Sequence, residues 1–195
     1  GLVNAVGFAE KGHEVFALDS SDKKKIAALR KHELPRNEPK LEEILTRVEK
    51  NIRFTAETRD AIYGASVLMI CEEPKAKDNG EIDTISFYQT LKEICKYIVN
   101  DVIVILRTTV PVGTNREVQT FMSQMIGRKY KIDVVSNPEF LSQGTAMKDM
   151  LNPTRIVVGV STKEAQMTMK ELYRGFEAPL LFVSPESAEL IKYAS

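Results

Sequence analysis

The 195-residue chain carries 43% hydrophobic and 28% charged residues, enough apolar material for the core of one large domain or one and a fraction. Lys plus Arg equal Asp plus Glu at 27 each, so no net field draws the chain toward nucleic acid or an anionic membrane, and any phosphate must be held by local geometry. No apolar run approaches the ~20 residues of a membrane-spanning helix, and two cysteines, Cys71 and Cys95, are too few for a disulfide framework or a zinc site, which makes a reducing cytoplasm the expected compartment.

Along the chain, Leu2, Val3, Val6 and Ala9 recur at helical spacing and Gly12 follows where a left-handed helix cap is wanted, predicting a helix over about residues 2–11. VFAL (15–18) is a short continuous apolar run, the pattern of a strand covered on both faces. Helices are expected through DKKKIAALRK (22–31) and PKLEEILTRVEK (39–50), then strands at 52–54 and at SVLMIC (66–71). A helix over 85–99 leads into the strand DVIVIL (101–106), followed by a helix over 116–126 and the strands IDVVS (132–136) and RIVVGV (155–160). A helix over 164–173, the strand LLFV (180–183) and a helix opening at Pro185 complete the pattern. This alternation predicts an α/β chain with a doubly wound, mostly parallel sheet and helices on both faces.

In such sheets ligands bind at the carboxyl ends of the strands, where a helix N-terminus directs free N–H groups at phosphate. Gly1 reads as the last glycine of a dinucleotide-binding loop, with a buried strand and two glycines expected before it. That strand is ordinarily central, between VFAL and SVLMIC, so either a gap in the sheet or a reorganised chain is expected there. Asp19 follows Gly1 by 18 residues, close to the ~20 at which a carboxylate takes the hydroxyls of an adenosine ribose. A carboxylate there repels a 2′-phosphate and selects NAD over NADP. The alternative is that Asp19 merely caps the helix over 20–31.

Three later stretches carry candidate chemistry. RTTVPVGT (107–114) closes a strand with hydroxyls that face the crevice, Thr109 among them; alternatively Thr114 is a helix N-cap and Thr109 has no chemical part. SNPEFLSQGTAMKD (136–149) breaks at Asn-Pro and holds Glu139 at the same sheet edge. Its apolar neighbours Phe140 and Leu141 would suit it to trade a proton near neutral pH, the alternative being a solvated loop glutamate. In SAELIKYAS (187–195), Lys192 reads from spacing alone as an exposed-face lysine. His13 and His32 have no metal-ligand partner at helical spacing, so no metal is expected. Cys71 is expected to pack at a strand end and Cys95 in a buried helical stripe.

Taken together, GLVNAVGFAEKGHEVFALD, NEPKLEE, TTVPVGT, NPEFLSQGTAMKDMLNPTRIVVG and SAELIKYAS resemble the N-terminal, NAD-binding domain of the UDP-glucose/GDP-mannose dehydrogenase family, over essentially the whole chain. The glucose branch is the better match. The resemblance implies a Rossmann-like domain over 1–184, with 185–195 opening a helix to a nucleotide-sugar domain that would hold the catalytic cysteine. It implies oxidation of UDP-glucose to UDP-glucuronate by two successive hydride transfers to NAD. Thr109 would organise water and proton traffic, Glu139 would serve in acid/base steps around thioester hydrolysis, and Lys192 would stabilise negative charge on the substrate oxygen. Phe140 and Leu141 would present backbone to the substrate. Gly1, Asp19, Lys24, Val112 and Gly113 would line NAD. The implied partners are the nucleotide sugar and further copies of the full-length enzyme, with no nucleic acid and no membrane. These 195 residues are expected to be inactive alone.

Two rivals remain at this point. One is a non-catalytic nucleotide-binding domain, for which Glu72 and Glu73, standing beside the expected cofactor path, would be signs of a decayed site. The other is a dehydrogenase of small hydroxy acids, which has no reason to carry TTVPVGT and NPEFL together. Within the family, GDP-mannose or another nucleotide sugar is the alternative substrate.

Overall fold

The computed structural model describes residues 1–35, 37–72, 75–76 and 82–195. In chain order these form α1 (Leu2–Glu10), β1 (Val15–Leu18), α2 (Lys23–Leu29), α3 (Leu41–Arg47), a 3-10 turn (Glu49–Asn51), β2 (Ile52–Thr55), α4 (Thr58–Ile62), β3 (Val67–Ile70), β4 (Lys75–Ala76), β5 (Ile82–Asp83), α5 (Thr84–Cys95), β6 (Val102–Leu106), α6 (Thr114–Ile126), β7 (Ile132–Ser136), α7 (Ala146–Leu151), β8 (Ile156–Gly159), α8 (Lys163–Leu172), β9 (Leu180–Val183) and α9 (Pro185–Tyr193). They divide into two compact units: residues 1–61, 140–154 and 173–179 in the first, and 62–139, 155–172 and 180–195 in the second.

In the first unit, α1 buries Val6 and Ala9 with Ile26 and Leu29 of α2, Leu41, Ile44 and Leu45 of α3, and Met147 of α7. The i, i+3, i+4 spacing of these positions is what puts them on single helix faces. Gly12, at φ +92°, ends α1 as its sequence position predicts. Beta-strands β1 and β2 pair in parallel, Val15 opposite Ile52 through Leu18 opposite Thr55, and form a sheet of their own. Among the described residues no strand pairing joins this sheet to another. One expectation is corrected here: VFAL is not covered on both faces, because Phe16 is 39% exposed, with the Arg53 guanidinium 5.5 Å from its ring centre.

The second unit holds a five-stranded sheet in the order β3-β6-β7-β8-β9. All five residues of β6, VIVIL, are buried, as a central strand of a parallel sheet requires. One step departs from a wholly parallel sheet: β8 meets β7 antiparallel at Ser136 and Gly159, while β8 and β9 are parallel. Between β7 and β8 the only helix is six-residue α7, which belongs to the first unit. Without a helix crossing this sheet, the chain re-enters it beside the end at which it left, and the strand runs backward. Sequence patterning also missed α4, α7 and the short β4–β5 pair, each too short to show a period.

α9 lies directly on β8. A Cβ on Gly159 would fall 2.7 Å from Pro185 Cα and 2.8 Å from Ala188 Cβ, so only glycine permits this approach. Ser184 caps α9 by accepting from Ser187 N at 3.2 Å, with Pro185 in the first turn where its missing N–H is harmless.

Candidate active site at the strand ends

On the first unit, Asp19 leaves the end of β1 with its amide bonded to Thr55 O at 3.1 Å. It does not cap α2; Asp22 does, accepting from Lys25 N at 2.8 Å. Asp19 accepts instead from Ser21 N (3.2 Å) and Ser21 Oγ (2.7 Å) on Oδ1 and from Lys25 Nζ (2.8 Å) on Oδ2. Burial disfavours its charge, but the Lys25 ammonium and the Ser21 hydroxyl outweigh it and hold the carboxyl below its ordinary range. Lys24 is exposed on α2, and Lys25 is the lysine that reaches this carboxylate. Gly1 is the N-cap of α1, whose first-turn N–H groups have no acceptor within the helix. Phe140 and Leu141, also in this unit, are half-buried at the start of a loop. That loop is pinned by Gly144 N donating to Glu38 (3.0 Å) and by Ser142 N and Thr145 Oγ1 donating to Asp149 (3.0 and 2.8 Å).

On the second unit, β6 and β7 run in parallel with Leu106 opposite Ser136. Thr109 and Glu139 each follow three residues beyond that pair, so both motifs emerge at one edge of the sheet. Lys192 reaches this edge from α9. Its Nζ donates to Glu139 O at 2.6 Å and lies 3.3 Å from Glu139 Oε1, with the lysine side chain 23% exposed. The exposed-face expectation for Lys192 is therefore corrected. Glu139, likewise, is neither free in solvent nor set among apolar groups only. Pro185, Ala188, Glu189 and Lys192 stand at i, i+3, i+4 and i+7, which turns them onto one face of α9.

Behind the edge lies a buried polar network that the sequence reading passed over. Asn137 donates to Val157 O at 2.7 Å, accepts from Arg107 Nη1 at 2.9 Å, and its amide bonds Leu106 O at 2.9 Å, tying β6, β7 and β8 together. Glu189 is 3% exposed and accepts from Gly113 N and Asn115 N, both at 2.7 Å. Gly113, at φ +99°, is the N-cap of α6; Thr114 is not, and turns its hydroxyl to Pro111 O at 2.7 Å. The α6 N-terminus thus takes a protein carboxylate. Burial pushes the Glu189 carboxyl above its ordinary range, and the two backbone N–H groups only partly oppose this. Glu189, Lys192, Ser136 and Thr108 share a small cavity with Leu106, Val110 and Pro138. Thr108 Oγ1 is buried there without a hydrogen-bond partner among the described residues. Val112 is 51% exposed.

Of the remaining candidates, Glu72 is exposed and accepts from Thr90 Oγ1 at 3.0 Å, while Glu73 lies outside the described residues. His13 packs against Phe8 with ring centres 5.8 Å apart. Cys95 is buried, which pushes its thiol up to about 11, and Cys71 is half-buried. Among the described residues no cluster of three or more His, Cys, Asp or Glu could hold a metal, and no helix is long and apolar enough to cross a membrane.

A parallel-dominated α/β architecture, with an acid closing β1 and polar loops closing β6 and β7, defines a dinucleotide-binding domain. The chain belongs to the UDP-glucose/GDP-mannose dehydrogenase family and matches its NAD binding domain over residues 1–177. It is 34% identical over its whole length to the UDP-glucose 6-dehydrogenase YwqF of Bacillus subtilis, of which it covers 44%. Among solved structures it is similar to a UDP-glucose dehydrogenase of Pyrobaculum islandicum, with TM-score 0.93, 30% identity, and coverage of 100% of this chain and 46% of that one. It is similar to the GDP-mannose dehydrogenase of Pseudomonas aeruginosa in almost the same degree, with TM-score 0.92, 31% identity, and coverage of 100% and 46%. The chain spans less than half the length of these relatives.

Proposed function

We propose that this chain is the NAD-binding half of a UDP-glucose 6-dehydrogenase, which oxidises the C6 alcohol of UDP-glucose to the carboxylate of UDP-glucuronate. The observation that carries the reading is the pairing of Lys192 with Glu139 at the edge where Thr109 also emerges. NAD, when bound, supplies the hydride acceptor for both oxidations. Asp19 fits the ribose: an ionised carboxylate has about four lone-pair sites, Ser21 and Lys25 take three, and the group is partly open to solvent.

Lys192, held at Glu139, offers a fixed ammonium to an oxygen that gains negative charge during the reaction. Glu139 accepts from Lys192 at both its carbonyl and Oε1, and its carboxylate is the group that holds or moves a proton in this reading. Thr109 is placed to orient water, and the backbone of Phe140 and Leu141 to meet substrate. Gly1, Lys24, Val112 and Gly113 complete the cofactor contacts in this reading, and the working protein is a cytoplasmic homo-oligomer.

The test is product stoichiometry with the intact polypeptide that carries this chain. With UDP-glucose and NAD, two NADH should appear for each UDP-glucuronate formed. Faster turnover of GDP-mannose would reassign the sugar, and no NADH with any nucleotide sugar would contradict the proposal.

A further inference from the structure

Glu189 is costly to keep. A carboxylate taken from water needs a partner to offset its desolvation, and among the described residues no cation forms an ion pair with it. Its charge is met by backbone alone, one oxygen to Gly113 N and the other to Asn115 N, at the positive end of α6. A leucine on this face would avoid that penalty but would take the acceptor from the Gly113 and Asn115 amides at the start of α6. The carboxylate therefore does something that packing does not.

What it touches identifies the task. Only Val110, Pro111 and Val112 separate Thr109 from Gly113, and Pro111 and the left-handed Gly113 restrict how those residues can run. Fixing the Gly113 amide therefore fixes where the Thr109 loop leaves the sheet. Lys192 lies three residues further along α9, on the same face, and fixes the Glu139 loop through that residue's carbonyl. One helix thus holds both strand-end loops, and Gly159 and the Arg116–Glu186 ion pair hold the helix.

We infer that Glu189 is a positioning residue for the proposed reaction: it sets the Thr109 loop in register with Lys192 and Glu139 by clamping the N-terminus of α6. This rests on the dehydrogenase reading of the same edge. In this assignment Glu189 acts through the Gly113 and Asn115 amides rather than on the reacting atoms.

The experiment compares wild type, Glu189→Gln and Glu189→Asp in the intact polypeptide. Turnover of UDP-glucose with NAD is read beside hydrogen exchange at the Gly113 and Asn115 amides. Gln matches the size of Glu but turns one acceptor into a donor facing an N–H; Asp keeps the charge but is too short to serve both amides. For Glu189→Gln, kcat should fall about tenfold to a hundredfold, the loss expected for a misplaced reacting group. KM for UDP-glucose should stay within about twofold, since ground-state binding is untouched. Glu189→Asp should retain more of kcat than Gln, and exchange should quicken at residues 109–115 alone. Unchanged kcat with unchanged exchange would overturn the inference, as would an equal loss of protection throughout the protein. If Glu189→Gln does not fold, Glu189→Asp decides by the same readouts. If wild type makes no NADH, the dehydrogenase reading fails, and exchange at Gly113 and Asn115 still decides whether the clamp exists.

Discussion

Asp19, at the end of β1, and Glu189, within α9, are both carboxylates set beside a helix start, and the protein treats them in opposite ways. Asp19, in the first unit, is partly open to water and has an ammonium and a hydroxyl to itself, which outweigh its desolvation and keep it ionised to unusually low pH. Glu189, in the second, is almost fully buried and has, among the described residues, only backbone N–H groups, which do not outweigh desolvation, so its carboxyl is held above its ordinary range. Asp19 is ready to accept hydrogen bonds from a ligand, whereas Glu189 has spent its acceptors on the protein. In the proposed roles, residue type and closeness to a helix do not separate the binding group from the positioning one; the partners already in place do.

The two signs make opposite contributions to stability. Asp19, with a lowered folded value, contributes stability above its unfolded value that is lost as pH falls through the folded one. Glu189, with a raised folded value, binds a proton more tightly folded than unfolded. Its contribution is greatest below the ordinary glutamate range and is lost as pH rises through the raised value.

The largest change expected from a single substitution outside the clamp itself is at Gly159. Gly159→Ala forces a methyl against Pro185 and Ala188 and should cost about 1–3 kcal/mol by overpacking. Moving α9 should also bring the Glu189 carboxyl down toward its ordinary range, which calorimetry and carboxyl-carbon NMR would follow together; a variant as stable as wild type would remove the close approach from the account. A smaller effect is expected for Lys25→Ala. The Asp19 carboxyl should titrate higher once its cation is gone, with less than about 1 kcal/mol lost because the pair is only partly buried. No upward movement would mean that Ser21 alone sets the Asp19 value. Thr108→Val should change stability least, because the hydroxyl it removes has no hydrogen-bond partner among the described residues; a loss above about 1 kcal/mol in thermal unfolding would point to a bound water at that hydroxyl.

These two carboxylates also mark how far the sequence could be read. The place of Asp19 at the end of β1 was legible because its signal is local: a glycine, a helix, a strand and an acid at fixed spacing. The strands VIVIL and IDVVS were legible for the same reason, as continuous apolar runs. Glu189 was not, because its partners lie 74 and 76 residues away and only the folded chain brings them near. A faint trace was present, since Glu189 and Lys192 occupy the stripe of α9 that begins with Pro185 and Ala188, where apolar residues are expected. The backward run of β8 left no trace in its own residues, because Ile156–Gly159 reads the same in either direction and the connection decides it. Lys192 needed Glu139 from 53 residues upstream before its place could be known.

The contrast between the two carboxylates is tested most directly by following both carboxyl carbons in one NMR pH titration of the wild-type protein. Asp19 should titrate below the ordinary aspartate range and Glu189 above the ordinary glutamate range. Midpoints in ordinary ranges for both, or a Glu189 that stays ionised to lower pH than Asp19, would contradict the division of labour described for these two groups.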